Sequence, residues 1–567
     1  MKKSLKFYLL WVFILGSLIG CERNLDQDDD NDSSSEYYED ESDYQWNSLT
    51  ATKIILLDNK AEISGNGAFF NDNQLLINDE GEYWICGDLS DGQIRVQAPD
   101  TDRVKLILDS VSVTCSNNPA IYVETAKKVV IILADGSTNT LTDGSSYSTG
   151  NLNAAVYSKS DLVMWGNGTL NVNANYKDGI TSKDGFIIKS GTYNVAAVDD
   201  GIRGKDYLVI KGGTFTVNSG GDAFKSDNET SGFGYIDIVT GKYTVIAGGD
   251  AFQAESDLTI EDGTFNIKTI NLAVSEKGLK AGDLLVINGG EYTIETVDDA
   301  VHSNQDMEIS GGSFNISTGD DGFHADNALT IDYADIIINQ SYEGIEAKTL
   351  TIKDGNITIN SSDDGLNAAS GDGSSNDPMH PGSGSSNNNL AIEGGTIFVY
   401  ASGDGIDING SVTMTGGCLV VHGPTANDNG ALDYDGSFVI SGGFIVAAGS
   451  SGMAQAPGTS STQYSVLINF TSTYNANTLF CLQDDSGNDI AVFSPQHRFQ
   501  SIALSSSALE KGKSYKIYIG GTSTGTETGG LYKGETYTPG TLYKTFTISS
   551  ITTYIGNTGG GGGPGFP

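Results

Sequence analysis

Positive charge is scarce in this chain: 31 Lys and Arg stand against 72 Asp and Glu, a formal net charge of -41 at pH 7. Such a surface repels a phosphate backbone, which argues against nucleic acid as a partner. Cysteine is scarce as well. Cys86, Cys115, Cys418 and Cys481 show no CxxC spacing, so a zinc site is not expected, and an exported location would permit disulfides without specifying any. Among the histidines, His302 and His324 share one repeat position, whereas His380, His422 and His497 fit no metal spacing. Sustained helical periodicity is missing between residues 104 and 450, which leaves strands as the regular structure there.

The apolar run Leu9 to Leu18, preceded by Lys2, Lys3 and Lys6, is too short for a membrane span and reads as a signal peptide over residues 1–20. It ends in Leu18-Ile19-Gly20-Cys21, which resembles the bacterial lipoprotein cleavage site. That likeness implies a lipidated Cys21 as the first mature residue, two or more acyl chains sufficing for stable anchoring at about 0.8 kcal/mol per buried CH2. A monomeric cell-envelope lipoprotein, at the outer membrane and surface-exposed, is therefore expected. Residues 21–48 read as an acidic disordered linker, because 22–45 carry almost no aliphatic surface to bury. An acidic run behind a lipidated Cys also resembles the surface-export signals of some bacterial lipoproteins, and a plain charged spacer accounts for it equally well.

What is abundant is repetition. The second Asp of Asp199-Asp200-Gly201-Ile202 recurs as Asp178, Asp200, Asp222, Asp250, Asp299, Asp321, Asp364 and Asp404, with Lys277 and Glu343 in the same slot. Five of the steps are 22 residues, and insertions at 228–234 and 370–389 lengthen two others to 28 and 40. A fixed period of this size predicts a solenoid of stacked copies. Within a copy, Leu208-Val209-Ile210 and Phe215-Thr216-Val217 alternate with period two, and Gly-Gly pairs such as Gly311-Gly312 mark corners. The fold class is thus all-β, a single-stranded parallel β-helix over residues 49–450. A small β region over 461–555 is expected to cap its last rung, ahead of a flexible tail at 556–567. Phe215, Phe265, Phe314, Tyr193, Tyr243 and Tyr292 fall on the inward side of one strand and should stack in the core instead of forming a sugar platform.

Stacking turns sequence columns into physical ladders spaced about 4.8 Å apart. Calcium–oxygen bonds of about 2.3–2.6 Å let one Ca²⁺ bridge carboxylates on successive rungs, and doubled acids (Asp199, Asp298, Asp320 and Asp363, each beside a column Asp) would thicken the cage. The competing reading is that Asp-Gly is turn chemistry, each carboxylate capping its own backbone. Three residues beyond the column runs an outward polar stripe containing Arg203, Lys225, Gln253, Lys280, His302, His324 and Asn367. It is the candidate ligand groove.

The chain further resembles a family of exported carbohydrate-binding domain-containing proteins. The likeness rests on Gly81-Glu82-Tyr83-Trp84-Ile85-Cys86-Gly87 with Asp91-Gly92-Gln93-Ile94, on Ala120-Ile121-Tyr122 and on Leu162-Val163-Met164-Trp165-Gly166-Asn167-Gly168-Thr169-Leu170. It continues through the Asp-Gly-Ile repeats into Leu509-Glu510-Lys511-Gly512-Lys513-Ser514-Tyr515. The resemblance implies a right-handed parallel β-helix similar in fold to pectate lyases, bound calcium, and binding of cellulose-like or acidic plant polysaccharides. It carries the calcium-ligand role onto Asp178, Asp199, Asp200, Asp222, Asp250, Asp298, Asp299, Asp320, Asp321, Asp363, Asp364 and Asp404. Lys277 and Glu343 depart from the pattern. Two other functions fit the same residues: a calcium-dependent lyase with Lys225, Lys280 or Arg203 as base, and a surface adhesin with a protein ligand.

Overall fold

The computed structural model describes residues 39–271, 275–369, 388–534 and 537–556, all within the compact unit Glu39–Pro567. The signal peptide, Cys21, the first part of the acidic segment, most of the long Gly/Ser/Asn loop with His380, and the tail from residue 557 lie outside the described residues.

The body is a parallel β-solenoid of about 14 turns. One rung shows why. Ile202–Gly204, Tyr207–Ile210 and Thr214–Ser219 are three short strands, and each pairs in parallel with its counterpart on the next rung, so that three ladders run the length of the molecule. In the first ladder Ile202 sits under Phe224, in the second Leu208 under Ile236, and in the third Phe215 under Tyr243. Alternation sends these side chains inward, where they are almost wholly excluded from solvent. Between the second and third ladders the chain turns at the second glycine of each pair: φ is 109° at Gly312, and a Cβ there would stand 3.0 Å from the Phe314 ring.

The predicted indoor stack is present. Tyr193, Phe215, Tyr243, Phe265, Tyr292 and Phe314 lie ring on ring with centroids 5.2, 5.1, 4.6, 4.7 and 4.5 Å apart and near-parallel planes. Each such pair contributes about 0.5–1.5 kcal/mol beyond its buried area. The tyrosines keep their hydroxyls satisfied by donating to corner carbonyls, Tyr193 to Ser190 at 2.8 Å and Tyr292 to Gly289 at 2.8 Å.

The last rung is closed as the sequence suggests. Phe444–Gly449 pairs antiparallel with Phe499–Ser505, which pairs with Ser465–Tyr474 and through it with Thr552–Ile555. A separate six-stranded sheet packs alongside and shares one apolar core with the last rungs and the capping strands. His422 fastens this cap. Its ring stacks on Tyr400 at 4.4 Å, Nε2 donates to the Gly529 carbonyl at 3.1 Å, and Nδ1 accepts from the Gln496 amide at 3.0 Å.

One expectation fails at the other end. An acidic linker disordered to residue 48 is what composition predicts, yet Glu39 to Asn47 is an ordered strap containing a short 3-10 helix, Glu41–Tyr44. It runs down the outer face of the second ladder: Glu39 pairs with Lys211, Lys189 stands 3.4 Å over the Tyr44 ring, and Trp165 donates to the Asp43 carbonyl at 2.9 Å. Asp43 meets Lys128 at 3.0 Å with both side chains fully buried. Further down, Lys105 donates to the Ser42 carbonyl at 2.8 Å, Trp46 packs edge-on against Trp84, and Asn47 donates to Glu82 at 2.8 Å. Composition judged the segment alone; the cations and indoles that order it belong to distant rungs.

Candidate functional site

The acidic column occupies the corner between the third and first ladders. Strand register places Asp178, Asp200, Asp222, Asp250, Lys277, Asp299, Asp321, Glu343, Asp364 and Asp404 in line. The residue after each must be small, because a Cβ on Gly201 would lie 2.6 Å from the Ala223 carbonyl oxygen. One oxygen of most of the column aspartates already accepts a backbone N–H of the next rung. Oδ1 of Asp200 accepts the Asp222 backbone N–H at 3.0 Å, that of Asp222 accepts Asp250 at 2.8 Å, that of Asp250 accepts Lys277 at 2.7 Å and that of Asp299 accepts Asp321 at 3.0 Å. The column therefore caps backbone, but the backbone of the following rung, which ties neighbours together.

The second oxygen meets the stripe. Lys225 stands 2.5 Å from Asp222 and 3.5 Å from Asp200, Lys280 3.4 Å from Asp250, and Arg203 3.9 Å from Asp178. His302 and His324 place Nδ1 2.8 Å from Asp299 and Asp321. Lys277, the departure from the pattern, reaches Asp298 at 2.7 Å and Asp299 at 3.3 Å. Electrostatics follow from this. Burial works against the charge of Lys225, yet Asp222 and Asp200 outweigh it and push its pKa up; burial opposes His324 too, and Asp321 with Glu346 overcome it, raising it to about 11. Asp299, despite burial, is drawn down to about 2 by His302 and Lys277. Over this half of the column, Arg203, Lys225, Lys277 and Lys280 bring positive charge to the acids, and His302 and His324 stand beside Asp299 and Asp321.

Beyond His324 the character changes. His324 reaches Glu346 at 3.1 Å, and further along the described residues no Lys, Arg or His pairs with Glu343, Asp363, Asp364, Asp404, Asp407 or Asp433. One oxygen each of Asp364, Asp404 and Asp407 lies within 4.8 Å of the others. Burial first, then repulsion from neighbouring carboxylates including Asp363 and Asp433, raises Asp364 to about 6, Asp404 to about 7 and Asp407 to about 8. Asn367 stands between Glu346 and Asp407 in the stripe. It is 6% exposed, its Nδ2 donates to Glu343 at 2.6 Å, and its Oδ1 has no hydrogen-bond partner. An orphaned buried oxygen beside three crowded carboxylates is the donor set of a hard cation.

Two other acidic groups reach a similar spacing, Asp178–Asp199–Asp200 and Asp298–Asp299–Asp320, but Arg203 and Lys277 stand against them. Asp363 precedes Asp364 on the uncompensated corner, and Gln253 occupies its stripe position between Lys225 and Lys280 with its amide oxygen unpartnered. Asp407, in register with Asn367 at the next stripe position, lies outside the ligand set expected from the sequence. A signal for it exists in the sequence, because the stripe residues from Glu346 onward, Asn367 and Asp407, include no cation.

A family model for carbohydrate-binding domain-containing proteins matches residues 71–322 and again 322–517. The chain belongs to this family. Its two matches meet at Gly322, on the corner just after column residue Asp321. A carbohydrate-binding domain-containing protein of Acetivibrio thermocellus is 34% identical over 151 residues, 26% of this chain; the chain spans 53% of that relative's length. A solved structure, described as that of the polysaccharide lyase-like protein from C. thermocellum in a gadolinium derivative, is 30% identical over 42% of this chain and 92% of its own, with a TM-score of 0.35. The fold of this family member rests on the ladder registers above.

Proposed function

We propose that this chain is a calcium-containing polysaccharide-binding protein, held at the cell envelope by lipid on Cys21. Family membership supports the carbohydrate, and the sequence Leu18-Ile19-Gly20-Cys21 supports the anchor. The observation that carries the metal is the orphaned Asn367 oxygen at the stretch of column that, among the described residues, pairs with no cation. Asp364, Asp404 and Asp407 with Asn367 would hold Ca²⁺, whereas rungs 178 to 321 do not fit it, since their second carboxylate oxygens already face Arg203, Lys225, Lys280, His302 and His324. Bound calcium supplies a cationic centre on an otherwise acidic surface, to which a uronate carboxylate can be attracted. Calorimetric titration tests this: wild type should bind calcium, and Asp404→Asn with Asp407→Asn should weaken binding at least tenfold. Polygalacturonate should bind in calcium and be released by chelator. Equal calcium affinity in the double variant would remove the assignment.

The lyase alternative is weaker on the same geometry. A base must be partly neutral at working pH and about 3 Å from its proton, but Lys225 is wedged between two carboxylates that favour its charged form. Arg203 is bound by Asp227, and a guanidinium is a poor base in any setting. Purified protein with polygalacturonate and calcium is expected to generate no ultraviolet-absorbing unsaturated product.

A further inference from the structure

His302 lies on the strand Val301–Ser303 and His324 on Phe323–Ile331, directly in register, and Glu346 follows in the same column. The two rings stack at 4.9 Å with planes 19° apart. One nitrogen of each ring and a carboxylate oxygen of Asp299 all lie within 4.8 Å of one another, and so do a nitrogen of His324 and carboxylate oxygens of Asp321 and Glu346. A neutral imidazole carries one N–H and one lone pair, yet His324 faces acceptors on both sides. Its Nδ1 stands 2.8 Å from Asp321 and 3.1 Å from Glu346, and its Nε2 stands 3.1 Å from Asp326. His302 repeats the pattern, with Asp299 2.8 Å from Nδ1 and the Asn304 amide oxygen 2.9 Å from Nε2. One proton on Nδ1 of His324 cannot serve two carboxylates at once, and a second proton on each ring would stack two cations face to face. A metal ion on the Nδ1 side satisfies every one of these groups.

We infer that His302, His324 and Asp299 form a site for a divalent transition-metal ion of the zinc class, with Asp321 or Glu346 as the fourth ligand. The nitrogens decide the class. Calcium takes oxygen ligands, whereas two imidazoles with carboxylates suit zinc and its neighbours in the first transition row, so this site is distinct in chemistry from the Asp364–Asp404–Asp407 corner. The far side of each ring carries the second, independent mark of a metal-binding histidine. Such a residue donates its other N–H to a carboxylate or carbonyl oxygen, which fixes the tautomer and the ring's direction, and Asp326 and Asn304 stand where that acceptor is needed. Lys277 also reaches Asp299, at 3.3 Å, but its shorter contact is to Asp298 at 2.7 Å, so it keeps an anion when the ion takes Asp299. The carboxylates of Asp299 and Asp321 are almost fully buried while the two rings are 11% and 17% exposed, which leaves the ion a way in from the stripe. Bound there, it would join the rungs of Asp299, Asp321 and Glu343 through side chains as well as backbone.

Untagged protein, stripped by chelator and returned to excess calcium, is titrated calorimetrically with zinc chloride. Wild type should take up one zinc per chain in the presence of calcium, with a raised melting temperature, and cobalt(II) in place of zinc should give the visible absorption bands of a nitrogen- and oxygen-ligated ion. His324→Gln should weaken zinc binding at least tenfold and abolish the cobalt bands. If that variant misfolds, Asp326→Ala carries the test, since Asp326 is exposed and touches only the far side of the ring; loss of such an outer partner should weaken binding about tenfold. Asp404→Asn with Asp407→Asn should bind zinc as wild type does. Absence of zinc uptake, uptake that calcium displaces, or uptake unchanged in both His324→Gln and Asp326→Ala overturns the inference. Zinc binding lost in the Asp404→Asn, Asp407→Asn variant assigns the ion to the calcium corner and equally overturns it.

Discussion

His422 is neutral in the fold because burial lowers its pKa to about 4 and because its two nitrogens have fixed roles, one donating to Gly529 and one accepting from Gln496. A depressed histidine contributes stability above its unfolded pKa and loses it as pH falls toward the folded one. The cap should therefore loosen between about pH 6.5 and 4, seen as earlier urea unfolding of cap tryptophan-free signals such as tyrosine fluorescence. His422→Ala should lower stability by about 1–3 kcal/mol at pH 7 and flatten that acid dependence. The carboxylates of the uncompensated corner have the opposite sign. Asp404 and Asp407 rise on folding to about 7 and 8, so the native state holds their protons more tightly and is favoured at low pH. In chelator, the melting temperature should fall as pH rises from about 4 to 8, and calcium should reverse most of that fall at the upper end. A melting curve indifferent to chelator at pH 8 would contradict it. At this scale the period of 22 made the column legible, down to which residues align. It could not show that one oxygen of Asp200 or Asp299 is spent on the next rung's amide, nor that Lys277 is a counter-ion instead of a gap, since both depend on which way a side chain turns.

Among elements, the strap is the one that composition concealed. Its contacts close very long loops, Glu39 with Lys211 being 172 residues apart in sequence, and no local pattern encodes such partners. Asp43→Ala removes the carboxylate facing buried Lys128, a change that costs about 3–5 kcal/mol when one member of a buried pair is lost. Because the strap lies on the outside of completed rungs, the expected outcome is local: faster hydrogen exchange and new protease cleavage within 39–47, with the solenoid's own melting little changed. The third-ladder face was illegible for a different reason. Thr-Phe-Thr-Val and Thr-Phe-Asn-Ile announce a strand with an aromatic inside, whereas the alignment of the outward Thr and Asn into one column depends on the register of the stacked rungs.

For the whole molecule, each rung touches only its neighbours, so stability is close to a sum of local terms and the ends matter most. The cap covers the edge of Phe444–Gly449 by antiparallel pairing with Phe499–Ser505. Truncation after residue 461 should leave that edge open, giving concentration-dependent light scattering from a chain whose far-ultraviolet spectrum is still that of β-sheet. The strap has a consequence at this scale too. It descends from Lys211 to Glu82 before the chain turns back into its first rung, so Glu39, the first described residue, sits on the flank of the solenoid, several rungs from its end. Tension applied at Glu39 is delivered to the side wall. A pull directed along the axis toward the later rungs loads the Lys105, Lys128, Lys189 and Lys211 contacts together, in shear; a pull directed outward strips them one after another, beginning at Glu39. The strap is thus a mechanical fuse whose strength depends on the direction of the load.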